Sequence, residues 1–187
     1  AAVEADAGRG RYAYIAVDPC DVVLSLPGAG ADPFVALRAK MPSRPLPARD
    51  DVPPFQGGAV GVFGYELGRF LERLPPPRAA DLTPPDMAVG LYDTIAAFDR
   101  VQRKAWVVAR DIAPDRLPAE ARARALAARL AAAPDLAALD WASRGAWRQE
   151  TARPAFEATV ARTVEYIRAG DIFQANISQR FLAPLPA

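Results

Sequence analysis

The chain of 187 residues has no histidine and one cysteine, Cys20. Without histidine, these residues hold no Ser-His-Asp triad, no Cys-His dyad and no imidazole ligand for a metal. A lone cysteine closes no internal disulfide, which fits a reducing cytosol, so a cytoplasmic location is expected. Lysine is scarce too: Lys40 and Lys104 are the only ones, and arginine carries the remaining positive charge. With 23 basic and 22 acidic residues the net charge is +1, so electrostatics points to neither nucleic acid nor an anionic membrane as partner. No apolar run approaches the roughly 20 residues that cross a bilayer, and no segment is expected to act as a signal peptide.

What is present is apolar. Hydrophobic residues make up 51% of the chain, enough for the core of one domain, or of a domain and part of another. The start, "AAVEADAGRG", has no Met, and the end, "FLAPLPA", follows a strand-like run. Both are expected to be cuts in a longer polypeptide.

Strand formers dominate "RYAYIAVDP" (11–19) and "DVVLSLPGAG" (21–30), which are expected to pair as a hairpin. Asp32 and Pro33 mark a short helix over 32–41, and the proline-rich segment 42–54 reads as a surface loop. In "FQGGAVGVFGYELGRF" (55–70), glycines punctuate a strand. The spacing matches neither a P-loop nor G-x-G-x-x-G, so close packing against a neighbouring element is the favoured reason for them. A short helix over "YELGRFLERL" follows. Residues 87–99 and 104–111 flank "RVQR" and predict a second hairpin. The alanine-rich run 119–133 is a helix by propensity, expected on the surface with its arginines solvated. Residues 134–150 read as a linker.

The clearest helix lies in "RPAFEATVARTVEYIRAGD". Phe156, Val160, Val164 and Ile167 form an amphipathic stripe, with Pro154 in the first turn and Gly170 at the end. Strand alternation is expected next, in "IFQANISQRF". Phe173, Ala175, Ile177 and Phe181 share one face, Gln179 lying with them, while Gln174, Asn176, Ser178 and Arg180 share the other. A solvated antiparallel strand explains such a polar row. So does a binding wall, because these side chains offer many directed donors and no negative charge.

These stretches resemble a known family. "GDIFQANISQRF", preceded by "FEATVARTVEYIRA", is similar to the opening of the chorismate-binding domain shared by anthranilate synthase component I, aminodeoxychorismate synthase component I and isochorismate synthases. "PFQGGAVGVFGYELGRFLERLP", "PDMAVGLYDTIAAFD" and "RGRYAYIAVDP" resemble the N-terminal domain of the first two. "GYELGRFLERLP" and "PDMAVGLYD" bring the chain nearest to the aminodeoxychorismate synthase component I (para-aminobenzoate synthase large subunit) branch.

The resemblance implies an α+β fold: a layered sheet-on-sheet core with outer helices, incomplete here. Residues 1–150 would be the N-terminal domain, with a linker from about 112, and residues 151–187 the beginning of the catalytic domain. It implies a transferase that aminates chorismate to 4-amino-4-deoxychorismate for para-aminobenzoate and folate synthesis. Ammonia would come from a glutamine amidotransferase subunit (component II). Mg²⁺ would be held by glutamates in the full-length enzyme, with none bound by this portion. The lysine nucleophile of the family's Pro-Ile-Lys-Gly-Thr motif is absent from these residues, as are matches to the metal-binding glutamates, so no catalytic residue is assigned and the portion alone is expected to be inactive. Gln174, Asn176, Gln179 and Arg180 would support the substrate pocket. Arg9, Gly10, Arg11 and Tyr12 match part of a tryptophan pocket. The family's acidic-serine motif falls near Glu4 and Ala5, where alanine would replace the serine that binds the amino acid. Arg11 and Tyr12 read equally well as ordinary strand residues. Two alternatives stay open: anthranilate synthase component I of tryptophan synthesis, or a non-catalytic ligand-binding or subunit-docking domain.

Overall fold

A computed structural model describes residues 10–43, 45–75, 83–112, 116–135 and 146–183. The chain forms two compact units, Ala1–Pro134 and Asp135–Ala187.

In the first unit, strands β1 (Tyr12–Ala16) and β2 (Asp21–Ser25) precede helix α1 (Pro33–Lys40) and β3 (Gly58–Phe63). A 3₁₀ helix (Tyr65–Phe70), β4 (Met87–Tyr92), β5 (Thr94–Asp99), β6 (Lys104–Ala109) and helix α2 (Ala119–Ala131) follow. The strands make two antiparallel sheets, ordered β1-β5-β6 and β2-β4-β3. The architecture is α+β, as expected.

The chain changes sheet in two places where the sequence predicts it to stay in one. β1 and β2 do not form the expected hairpin. β1 pairs with β5 (Tyr14 opposite Ala97) and β2 with β4 (Val23 opposite Val89). Likewise residues 87–99 are not one strand. The run breaks at Asp93, with β4 central in one sheet and β5 central in the other. The physical reason is burial: β4 and β5 are apolar on both faces and can each be flanked twice, whereas a β1–β2 ladder would leave those central positions without neighbours. The β5–β6 hairpin over Arg100–Arg103 forms as expected, with Asp99 opposite Lys104.

One core cluster joins Val23, Leu67, Met87 and Val89, covered by Phe34 and Leu37 of α1 and by Phe70. Asp32 caps α1, its carboxylate accepting from Phe34 N at 2.8 Å. The second cluster joins Ile95, Ala97 and Val108 with Tyr14, Val52, Phe55 and Trp106. Met87, Val89 and Ile95 are fully buried, each contributing about 1.5–3 kcal/mol of apolar transfer. The glycine-rich strand is explained by proximity: a Cβ on Gly61 would lie 2.0 Å from the Ala88 carbonyl oxygen on the neighbouring strand.

Helix α2 corrects one expectation. Arg124 and Arg129 are solvated, but Arg122 is buried. Its Nη1 lies 2.7 Å from Asp93 Oδ1 and its Nη2 2.9 Å from Asp111 Oδ1. The same guanidinium donates to Thr94 Oγ1 at 2.6 Å, Leu117 O at 2.7 Å and Arg110 O at 3.0 Å. Arg116 Nε approaches the other Asp93 oxygen at 3.2 Å. Asp93 therefore marks the crossover between sheets, and Arg122 ties α2 to it.

In the second unit, helix α3 spans Arg153–Ala169 and ends at Gly170, whose φ of 83° is the left-handed conformation expected there. A two-residue ladder joins β7 (Arg148–Gln149) to β8 (Phe181–Leu182). The strand expected over 173–181 is not realised as such. Of residues 173–183 only Phe181 and Leu182 enter a ladder, because an extended segment becomes a strand only where a neighbour takes its backbone hydrogen bonds. Residues 136–145 of the expected linker lie outside the described residues.

Candidate functional site

Three groups of side chains bear on function. The first begins at β1. Arg9 lies outside the described residues, as do Glu4 and Ala5. Gly10, with φ of 64°, turns the chain into the strand. Arg11 then reaches the β5–β6 turn, its Nε and Nη2 donating to Asp99 Oδ2 at 2.9 and 2.6 Å. The other Asp99 oxygen accepts from the amides of Val101 and Gln102 at 3.0 and 2.9 Å. The Arg11 hydrogen bond, with those amides, holds the Asp99 carboxyl below the usual carboxylate range, while Asp99 raises Arg11. The Arg11 guanidinium also lies 4.9 Å from the Tyr12 ring centroid. Gly10, Arg11 and Tyr12 thus sit together at one end of the β1-β5-β6 sheet, with the Arg11 charge balanced by a buried carboxylate.

The second group is the polar row. Gln174, Asn176 and Ser178 are exposed. Arg180 makes a two-pronged pair with Glu150, Nε to Oε2 at 2.6 Å and Nη2 to Oε1. Gln179 donates to the Thr151 carbonyl at 2.9 Å, while its amide oxygen is buried without a partner. The structure therefore splits the row: Gln179 and Arg180 clasp residues 150–151, and Gln174 and Asn176 face water. Among the described residues no three His, Cys, Asp or Glu side chains converge.

The third group was invisible in the sequence. A cavity of about 480 Å³ opens between the proline-rich segment 42–54, the start of β3 and the ends of β4 and β6. Its lining includes Cys20, Leu46, Phe55, Gln56, Tyr92 and Arg110. Gln56 is buried, donating to Arg49 O at 2.7 Å and accepting from Arg49 N at 3.1 Å and from Arg110 Nη1 at 2.9 Å. Arg110 Nη2 donates to the Pro47 carbonyl. Burial, then the nearby Asp93 charge, pushes the Cys20 thiol above its usual range, so it is a poor nucleophile at neutral pH. The signal that could have revealed this group is Gln56, an amide flanked by Phe55 and Gly57 in a segment otherwise built for packing.

No helix among the described residues is long and apolar enough to cross a membrane.

Comparison with known proteins places the chain. It is 38% identical over 157 residues to anthranilate synthase component 1 of Thermus thermophilus, covering 82% of this chain and 33% of that protein. It is 35% identical over 153 residues to aminodeoxychorismate synthase component 1 of Salmonella typhimurium, covering 81% and 32%. The fold matches the crystal structure of anthranilate synthase component I from Streptococcus pneumoniae with a TM-score of 0.79 at 23% identity, over 99% of this chain and 44% of that one. The chain thus spans about a third of the length of these curated relatives. Residues 2–187 match the family described as chorismate binding enzyme, and the chain belongs to that family.

Proposed function

We propose that this chain is the N-terminal part of a chorismate-aminating subunit that makes 4-amino-4-deoxychorismate, with ammonia delivered by a glutamine amidotransferase partner. The observation that carries the reading is the segment pair "GYELGRFLERLP" and "PDMAVGLYD". They carry the likeness to the aminodeoxychorismate branch, and they are spatial neighbours: β3, which leads into the first, pairs with β4 of the second, Gly61 opposite Val89. The anthranilate synthase reading is supported by the similar identity to the Thermus protein.

In this reading Gln174, Asn176, Gln179 and Arg180 support the chorismate pocket of the full-length protein. Gln174 and Asn176 are exposed and available to line it. Gln179 and Arg180 act from behind, fixing the segment against residues 150–151. Arg9, Gly10, Arg11 and Tyr12 form part of a tryptophan-type pocket. The magnesium-binding glutamates and the nucleophile of the family have no match among these residues, so no chemical step is assigned to a side chain here.

The test is product identity. The full-length protein carrying these residues, given chorismate and ammonium salt, is expected to form 4-amino-4-deoxychorismate. Anthranilate as the product supports the second reading instead, and absence of both products refutes an enzyme of either kind. The 187-residue chain alone is expected to be inactive. Asn176→Ala and Arg180→Ala are expected to lower kcat/KM by about tenfold or more, the loss of one charge-assisted or buried hydrogen bond. Unchanged kinetics in both variants removes the pocket assignment.

A further inference from the structure

The cavity beside Phe55 belongs to none of the residues assigned above to chorismate or tryptophan. We propose that it is a separate small-molecule site, taking an organic anion with one carboxylate on a compact apolar body. This inference does not rest on the choice between the two chorismate reactions.

Four observations carry it. The volume, about 480 Å³, falls in the range of about 300–1,000 Å³ typical of ligand pockets. The walls are mainly apolar: Met41, Leu46, Phe55, Leu91, Tyr92 and Ile112 all contribute. Met41 and Leu46 remain 39% and 43% exposed, leaving apolar surface that a bound molecule would remove from water. Prolines 42, 45 and 54 also line the cavity, and their fixed φ lowers the entropy lost when a ligand orders that wall.

Charge sets the ligand class. Among the described residues three charged ones line the cavity: Asp21, Lys40 and Arg110. Asp21 and Lys40 form an ion pair and offset one another. Arg110 has no carboxylate partner among the described residues, unlike Arg11 and Arg122. A guanidinium carries five N–H donors. One serves Gln56 Oε1 and one the Pro47 carbonyl. The rest remain for a carboxylate, which matches guanidinium geometry in a two-pronged pair. Buried Gln56 is itself held by both backbone groups of Arg49, so Arg110 is positioned before any ligand arrives.

The test is calorimetric titration with benzoate and 4-phenylbutyrate, each against its neutral amide. Saturable binding of a carboxylate is expected, with the amide at least about tenfold weaker, the size of one charge-assisted hydrogen bond. The binding carboxylate should also slow modification of Cys20 by a disulfide reagent, followed on the Cys20 peptide by mass spectrometry. Arg110→Gln should weaken binding about tenfold or more, and Ala48→Trp, which fills the cavity and leaves Arg110 intact, should abolish it. Two variants guard against a folding artefact, and the acid–amide comparison needs neither. Absence of saturable binding by both carboxylates at millimolar concentration overturns the proposal. So does equal affinity for acid and amide, or undiminished binding by folded Ala48→Trp protein.

Discussion

Replacing Arg122 with leucine removes the closer of two cations from a carboxylate that is 1% exposed. Asp93 Oδ1 loses its cation at 2.7 Å and keeps the Thr94 hydroxyl, which donates to it at 2.9 Å, while the one remaining cation among the described residues is Arg116, 3.2 Å from the other oxygen. The Leu117 and Arg110 carbonyls lose their donor as well. Breaking a buried pair by removing one member costs about 3–5 kcal/mol, because the remaining charge stays desolvated. The Asp111 contact adds little, since that carboxylate is 71% exposed. Arg122→Leu is therefore expected to destabilise by about 3–5 kcal/mol, lowering the melting temperature by about 10 °C. The double variant Asp93→Asn with Arg122→Leu should recover part of this, since it leaves no buried charge unpaired; the coupling should be about 2 kcal/mol. Urea unfolding followed by circular dichroism measures both, with Arg124→Ala as an exposed control expected within about 0.5 kcal/mol of the parent. A single-variant cost below about 1 kcal/mol, the level of a surface pair, or strict additivity in the double variant would show that the network is not what fixes α2 at the sheet crossover.

Four further outcomes follow from the geometry. Gly61→Ala drives a methyl into the Ala88 carbonyl and should cost at least about 3 kcal/mol in the same unfolding assay, the upper range of overpacking. Ile95→Ala, at a fully buried position, should cost about 2–5 kcal/mol. Asp99, its carboxyl lowered from the ordinary 3.8 mainly by Arg11, stabilises the fold above that pH, and the contribution is lost as pH falls through the lowered value. Asp99→Asn should therefore reduce stability at pH 7 and flatten the acid limb below about pH 4 in melts taken across pH, and an unchanged acid limb refutes the assignment. Cys20, raised by burial, should react with iodoacetamide at pH 8 more slowly than a free thiol; denaturation should restore the ordinary rate.

Much of the local structure was legible. The cap at Asp32, the left-handed Gly170, the span of α3 and the β5–β6 turn all depend on residues within a few positions of one another, whereas the apolar stripe of α3 is not buried, Val160, Val164 and Ile167 being exposed. Gly61 was legible in kind, since a glycine inside a strand asks for a close neighbour, although its partner Ala88 was not. Arg122 was misread because propensity sees three similar arginines on α2. Only Arg122 faces the sheet, and its acid lies 29 residues away. The cavity was illegible for the same reason: Cys20, Gln56, Tyr92 and Arg110 come from four separate segments.

The sequence by itself determined the α+β class, the helices α1, α2 and α3, and membership of the chorismate binding enzyme family, because each rests on short-range pattern or on motifs kept in order along the chain. The tertiary structure alone decided which strands are partners, that a single apolar run divides between two sheets at Asp93, and which arginine is structural. Those choices depend on which apolar faces can be covered at once, and on which buried charge finds a counterion, and neither condition is written into any one segment.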